Sequence, residues 1–191
     1  MGGITVNKIL EVIKNRRSTR SYKEEQVKKD EIMALLEAGA WASSGHNKQP
    51  WHFTVVQNKE LIKKMSDRSK YTAKDAENEK MRKMANNLDF NIFHKAPTVI
   101  IVSHKNDAIT PVEDISAATE NILLQAESMG LGTCWSAFIF GIFRGPEKEE
   151  FIKDLEIPVG HTPHHAIAVG YPSAKVLNYP ERKNDYFNFI K

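Results

Sequence analysis

Three arginines fall within five positions in the run Arg16-Arg17-Ser18-Thr19-Arg20. A guanidinium fork grips phosphate oxygens in a bidentate way, and a neighbouring hydroxyl adds a further hydrogen bond. Arg16 and Arg20 converge on one point if the backbone turns between them. The same run also reads as a basic helix end favoured by the helix dipole. A second run, Ser43-Ser44-Gly45-His46-Asn47-Lys48-Gln49-Pro50-Trp51, offers hydroxyl, amide and backbone donors that can wrap a flat polar heterocycle. Gly45 allows close approach of the backbone, Pro50 stiffens the exit and Trp51 anchors it. A plain connecting loop has a similar composition. A third run, Gly130-Leu131-Gly132-Thr133-Cys134-Trp135-Ser136-Ala137, follows an apolar periodic stretch and brings its backbone close to whatever lies beside it. Glycine is also the usual residue just past a helix end.

Other reactive residue types point less far. Cys134 stands in an apolar segment, where a lone cysteine reads as a small buried hydrophobe rather than a nucleophile. His161, His164 and His165 lack a carboxylate or cysteine at ligand spacing, so no metal site is expected. His46 is a better candidate to touch a ligand. No side chain is marked as a required acid or base.

The formal charge is +3, from 27 basic and 24 acidic side chains, which demands neither a nucleic acid nor an acidic membrane. The arginine run has no aromatic stacking motif beside it, which argues against RNA recognition. One cysteine allows no intrachain disulfide and fits a reducing compartment. The run near Val99–Val102 is too short to span a bilayer, and the first seventeen residues lack a signal-peptide pattern. These features predict a cytoplasmic protein.

The elements that must position the three runs follow from periodicity. Ile9, Leu10 and Ile13 have helical spacing within Ile4–Asn15, and Ile32, Leu35, Leu36 and Ala40 line a helix from about Asp30 to Trp41. Trp51–Gln57 reads as a strand, followed by a short helix capped by Asn58 with Leu61, Ile62 and Met65 inward. Residues 66–89 are charged and poorly patterned, as in a loose helical excursion or a lid. Thr98–Ser103 is apolar enough for a buried strand. Thr110-Pro111-Val112-Glu113 has the features of a capping box, opening a helix with Ile115, Ala118, Ile122 and Met129 on one stripe and a stop at Gly130. Thr133–Ile139 is extended or loop, Pro146 opens a short helix through Phe151, and His165–Val169 is the last strand. Residues 171–191 form a tail with little periodicity, whose Tyr179, Tyr186, Phe187 and Phe189 want a surface to cover. The mixture of helices and strands without strict alternation favours α+β.

In order, these segments resemble the nitroreductase family: RRSxR near the N-terminus, PSxxNxQPW after the second helix, GLGTCW after the long central helix, and Gly170-Tyr171-Pro172 followed by the basic pair Arg182-Lys183. The blocks frame nearly the whole chain except residues 66–89. The resemblance implies one domain over residues 1–191, a three-layer α/β/α sandwich with a mixed, mainly antiparallel sheet. It also implies a homodimer with two shared FMN sites and a C-terminal extension reaching the partner subunit. The phosphate grip would fall on Arg16, Arg17, Ser18 and Arg20, completed by Arg182. Ser44 and Gly45, with Asn47 nearby, would border the flavin from the other subunit. Trp135, Ser136 and Ala137 would pass along the ring edge, with a backbone N–H near flavin N5, the atom that carries the chemistry. Electrons would pass from NAD(P)H to nitroaromatics, quinones or another small oxidant in a ping-pong cycle. Ser43 departs from the family, which usually has proline there, and this loosens the loop without removing a donor. A non-catalytic FMN store or redox sensor is an alternative. So is a same-fold enzyme of other chemistry: a reductive dehalogenase, a flavin-fragmenting enzyme or an azoline dehydrogenase.

Overall fold

The computed structural model describes residues 7–174 and 180–191. The start of the expected first helix, before Asn7, and Tyr179 of the tail lie outside the described residues. Among the described residues, six helices and four strands follow in the order α1 (Lys8–Asn15), α2 (Lys29–Ala40), β1 (Trp51–Val56), α3 (Lys59–Thr72), α4 (Glu79–Asn86), β2 (Thr98–Lys105), α5 (Pro111–Ser128), β3 (Gly132–Ser136), α6 (Lys148–Asp154) and β4 (His161–Gly170). Short 3-10 turns cover Gly45–Asn47 and Phe138–Phe143.

The strands form one sheet in the order β1-β2-β4-β3, with every neighbouring pair antiparallel. Among the described residues, the parallel component is a bridge between Ser18 and Thr133. The central strand β2 is buried at each position from Thr98 to Ser103, as expected of a strand covered on both faces. Its side chains alternate between two cores. Val99 and Ile101 join Ala166 and Ala168 of β4 against Met65 of α3, Phe151 of α6 and the Phe138–Phe143 turn. Ile100 and Val102 join Ile167 and Val169 against Leu35 of α2 and Ile115, Ile122 and Ala126 of α5. The result is the expected three layers.

Several expectations hold closely. Asn58 caps α3 by accepting the Leu61 N–H at 2.9 Å, and the stripe Ile115, Ala118, Ile122 is fully buried. Gly130 ends the helical run with a φ of 75°, which glycine adopts without strain. Others are corrected. Thr110 makes no capping bond to the backbone of α5. Its hydroxyl instead acts as a donor, to Asp114 Oδ1 at 3.0 Å. Of the two readings of residues 66–89, the helical excursion is the one seen: α3 continues to Thr72 on buried Ser66 and Ser69, and α4 follows with Asn78 as its cap. Ser66 Oγ accepts the Ile92 N–H at 3.2 Å, so this part of the helix is held by polar contacts that leave no apolar periodicity. Strand β4 begins four residues earlier than expected, at His161, with a bulge at Val102/Ser103 that seats Pro163.

Candidate functional site

The arginine run and the glycine-threonine-cysteine run meet. Leaving α1, the chain runs beside β3, where Ser18 bridges Thr133 and the Thr19 N–H donates to the Thr133 carbonyl at 2.8 Å. This approach requires glycine at 132: a Cβ there would stand 2.6 Å from Thr19 Oγ1 and 2.7 Å from its Cγ2. Thr19 and Thr133 are both buried at the seam. Arg16, Ser18 and Arg20 act together on the neighbouring Cys134 thiol. Burial pushes that thiol up from its ordinary pKa, while Arg20, a hydrogen bond from Ser18 and Arg16 pull it down. Arg16, Ser18 and Arg20, three of the predicted phosphate ligands, lie on the stretch of chain that runs beside β3, where the Arg20 guanidinium stands 3.5 Å from the Ser18 carbonyl. Arg16 lies 3.8 Å from Glu120 of α5, a long, partly solvated pair that contributes little stability. Arg17 donates to the carbonyls of Lys14 (2.8 Å) and Arg16 (2.6 Å), at the end of α1. Tyr22, not singled out from sequence, anchors the far end of the run. Its hydroxyl donates to the Thr19 carbonyl at 2.8 Å, and burial drives its pKa well up.

The second run forms a tight loop against the N-terminus of α5. The Gly45 N–H donates to Asp114 Oδ1 at 2.8 Å. A Cβ at Gly45 would lie 2.3 Å from Thr110 Oγ1, so the backbone approach again needs glycine. Ser44 Oγ accepts the Gln49 N–H at 2.9 Å, and the Gln49 amide donates to Asn47 Oδ1 at 3.1 Å. His46, Asn47 and Gln49 have φ values of 51°, 53° and 47°. Such backbone is costly for residues with a Cβ and persists only where surrounding contacts over-determine it. Asp114 supplies that constraint. It is 4% exposed, and its second oxygen has no partner among the described residues. The sequence signal for it was slight: one acidic residue beside the apolar stripe of α5.

Trp135 is the exposed residue of β3, at 37%, whereas Cys134 and Ser136 turn inward. The Ser136 hydroxyl donates to the Ile92 carbonyl at 3.2 Å, and Ala137 is exposed at the start of the following 3-10 turn. The indole of Trp135 packs on the imidazole of His165, with centroids 4.5 Å apart and planes inclined by 31°. His165 is fully buried, and burial with the neighbouring His164 holds its pKa down to about 3. Sequence reading had considered His165 only as a metal ligand.

Arg182 lies exposed in the C-terminal stretch 180–191, which also exposes Tyr186, Phe187 and Phe189. Among the described residues there is no cluster of three or more metal-ligating side chains. No helix among them is long and apolar enough to cross a membrane.

Comparisons with known proteins agree on one family. The family model described as "Nitroreductase family" matches residues 13–171. A relative from Methanothermobacter thermautotrophicus, named for NADH dehydrogenase and NAD(P)H nitroreductase, is 32% identical over 90% of this chain and 81% of its own length. A crystal structure of a nitroreductase with bound FMN from Bacteroides fragilis superposes with a TM-score of 0.88 at 30% identity, covering 97% of this chain and 100% of that one. An iodotyrosine deiodinase from Thermotoga neapolitana is 24% identical over 92% of this chain and 94% of its own length.

Proposed function

The chain belongs to the nitroreductase family of oxidoreductases, and on that premise we propose that it binds FMN and passes electrons from NAD(P)H to a small organic oxidant, a nitroaromatic or a quinone. The observation that supports this reading is the docking of the arginine run against β3 through the Ser18–Thr133 bridge and the Thr19 N–H bond to the Thr133 carbonyl. The donor set fits the group. Two guanidiniums and a hydroxyl match a phosphate dianion.

Within this reading Arg16, Ser18 and Arg20 hold the phosphate, joined by Arg17 and by Arg182. Trp135, Ser136 and Ala137 border the ring, and the Ser44–Asn47 loop closes on it from the other subunit. FMN, when bound, supplies two-electron transfer between donor and oxidant in a ping-pong cycle. The protein orients it and stabilises the negative charge of its reduced form with arginine.

A homodimer is supported by the apolar surface the single chain leaves open. Helix α1 buries none of its residues and shows Ile9 at 65% exposure, while Trp41 is 80% exposed. The aromatic tail offers a matching cover. A mass in solution twice that of the 21.7 kDa chain is expected.

The deciding experiment is an absorbance spectrum of the purified protein followed by anaerobic NADH. A flavin band that bleaches is the expected result. A colourless protein that also fails to bind added FMN overturns the assignment. A yellow protein that does not oxidise NAD(P)H with an added acceptor would instead be an FMN store or sensor. The deiodinase relative makes iodotyrosine the comparison substrate, and turnover of it in preference to nitroaromatics would move the chemistry to reductive dehalogenation.

A further inference from the structure

The packing beneath Trp135 assigns a role to a residue outside the cofactor-binding runs. His165 lies on the same face of β4 as Ile167 and Val169, in the apolar core shared with α2 and α5. Both of its ring nitrogens are engaged. Nε2 stands 2.7 Å from Thr119 Oγ1 of α5, and Nδ1 stands 3.0 Å from His164 Nδ1. Thr119 is itself fully buried. The His164 ring is braced in turn by His104 of β2, at 6.5 Å between centroids, and by Phe140, at 6.2 Å. Arg144 lies over Phe140 at 3.5 Å.

An imidazole bonded at both nitrogens cannot flip or swing without leaving a buried polar atom unpaired, and that costs more than the bonds contribute. A leucine or phenylalanine would fill the same space with no such demand. The two bonds therefore supply direction: they fix the plane of a ring inside an otherwise apolar layer. What lies on that ring is the exposed aromatic side chain of β3, at stacking distance.

We propose that His165 is a positioning residue for Trp135, holding the indole through its bonds to Thr119 and His164 at the angle in which it borders the flavin. The packing stands on its own geometry, while its consequence for flavin rests on the function proposed above. The groups facing His165 are Trp135 from β3, Thr119 from α5 and the adjacent His164 of β4. Beyond His164 stand His104 and Arg144. Thr119 is uncharged, so no carboxylate is bonded to the ring to draw a proton onto it.

The test separates the two layers. In FMN-free protein, the near-ultraviolet circular dichroism that disappears in Trp135→Phe is the signature of the held indole. His165→Leu, which keeps volume but loses both bonds, is expected to abolish that signature. In the same variant FMN affinity is expected to fall by roughly two- to tenfold, the value of one aromatic pair. Thr119→Val, nearly isosteric and missing one bond, is expected to weaken the signature and keeps the test open should His165→Leu fail to fold. Overturning results are an unchanged Trp135 signature in both variants, or loss of the signature with FMN affinity as in the wild type. Should the wild-type protein bind no FMN, the function falls, while the dichroism still decides whether His165 holds Trp135.

Discussion

Asp114 Oδ1 accepts the backbone N–H of Gly45 at 2.8 Å, joining the start of α5 to a loop 69 residues earlier. The same oxygen takes the Thr110 hydroxyl at 3.0 Å. One buried carboxylate thereby holds a loop in which three residues with side chains adopt left-handed backbone. Asp114→Ala should destabilise the protein by about 1–3 kcal/mol, because a partly buried N–H loses its partner. Asp114→Asn, which keeps an acceptor, should cost less. Urea denaturation of both variants checks the order, and equal losses would show that the Gly45 bond contributes nothing.

Gly132→Ala places a methyl group within 2.6 Å of the Thr19 side chain. The arginine run must move away from β3 or the strand must bend. A loss of about 1–3 kcal/mol is expected from such overpacking. FMN content should fall with it, since Arg16, Ser18 and Arg20 ride on the displaced segment. A variant of normal stability and normal flavin content would contradict this coupling.

Arg16→Ala should weaken FMN retention by about 1–3 kcal/mol, the range for hydrogen bonds to charged groups. Equilibrium dialysis or flavin fluorescence measures it. Unchanged retention would show that the phosphate sits elsewhere.

His165 makes stability depend on acid in a definite direction. Its pKa in the folded chain is about 3, below the ordinary histidine value of 6.5. Between those values the unfolded chain takes up a proton that the folded chain refuses. Stability is therefore complete above about pH 6.5 and drains away as pH falls toward 3, by a total on the order of 5 kcal/mol. Chemical denaturation at a series of pH values should show this slope, and His165→Leu should flatten it. A slope identical in the variant would assign the acid sensitivity to other groups.

If both substrates use one flavin face in turn, as the proposed ping-pong cycle requires, steady-state kinetics with NADH and a quinone should give parallel double-reciprocal lines. Intersecting lines would count against ping-pong turnover.

What was legible in the sequence was whatever repeats with the period of a secondary element. The stripe Ile115, Ala118, Ile122 located α5, and the apolar Thr98–Ser103 located β2. The continuation of α3 was hidden because its buried positions beyond Met65 are Ser66 and Ser69, which carry no hydrophobic period. The first half of β4 was hidden by His161, Pro163 and His164, residues that read as loop until the bulge at Val102/Ser103 accommodates them. The arginine run was recognisable from its spacing and its family resemblance. Asp114 and Thr119 were not, since each acts through a partner far along the chain, Gly45 and His165, and nothing in the sequence marks the Tyr22 hydroxyl as the donor to the Thr19 carbonyl. Such pairings leave no local pattern.

The Ser18–Thr133 bridge sets a timetable for the molecule. Its first half leaves the ribosome before any strand of the sheet, its second half only after α5 is complete. A nascent chain cannot assemble this seam until β3 has emerged, so in the function proposed above FMN can load only after synthesis has passed residue 136. A ligand held at such a seam would stabilise the native state alone, because the unfolded chain keeps its two halves more than a hundred residues apart.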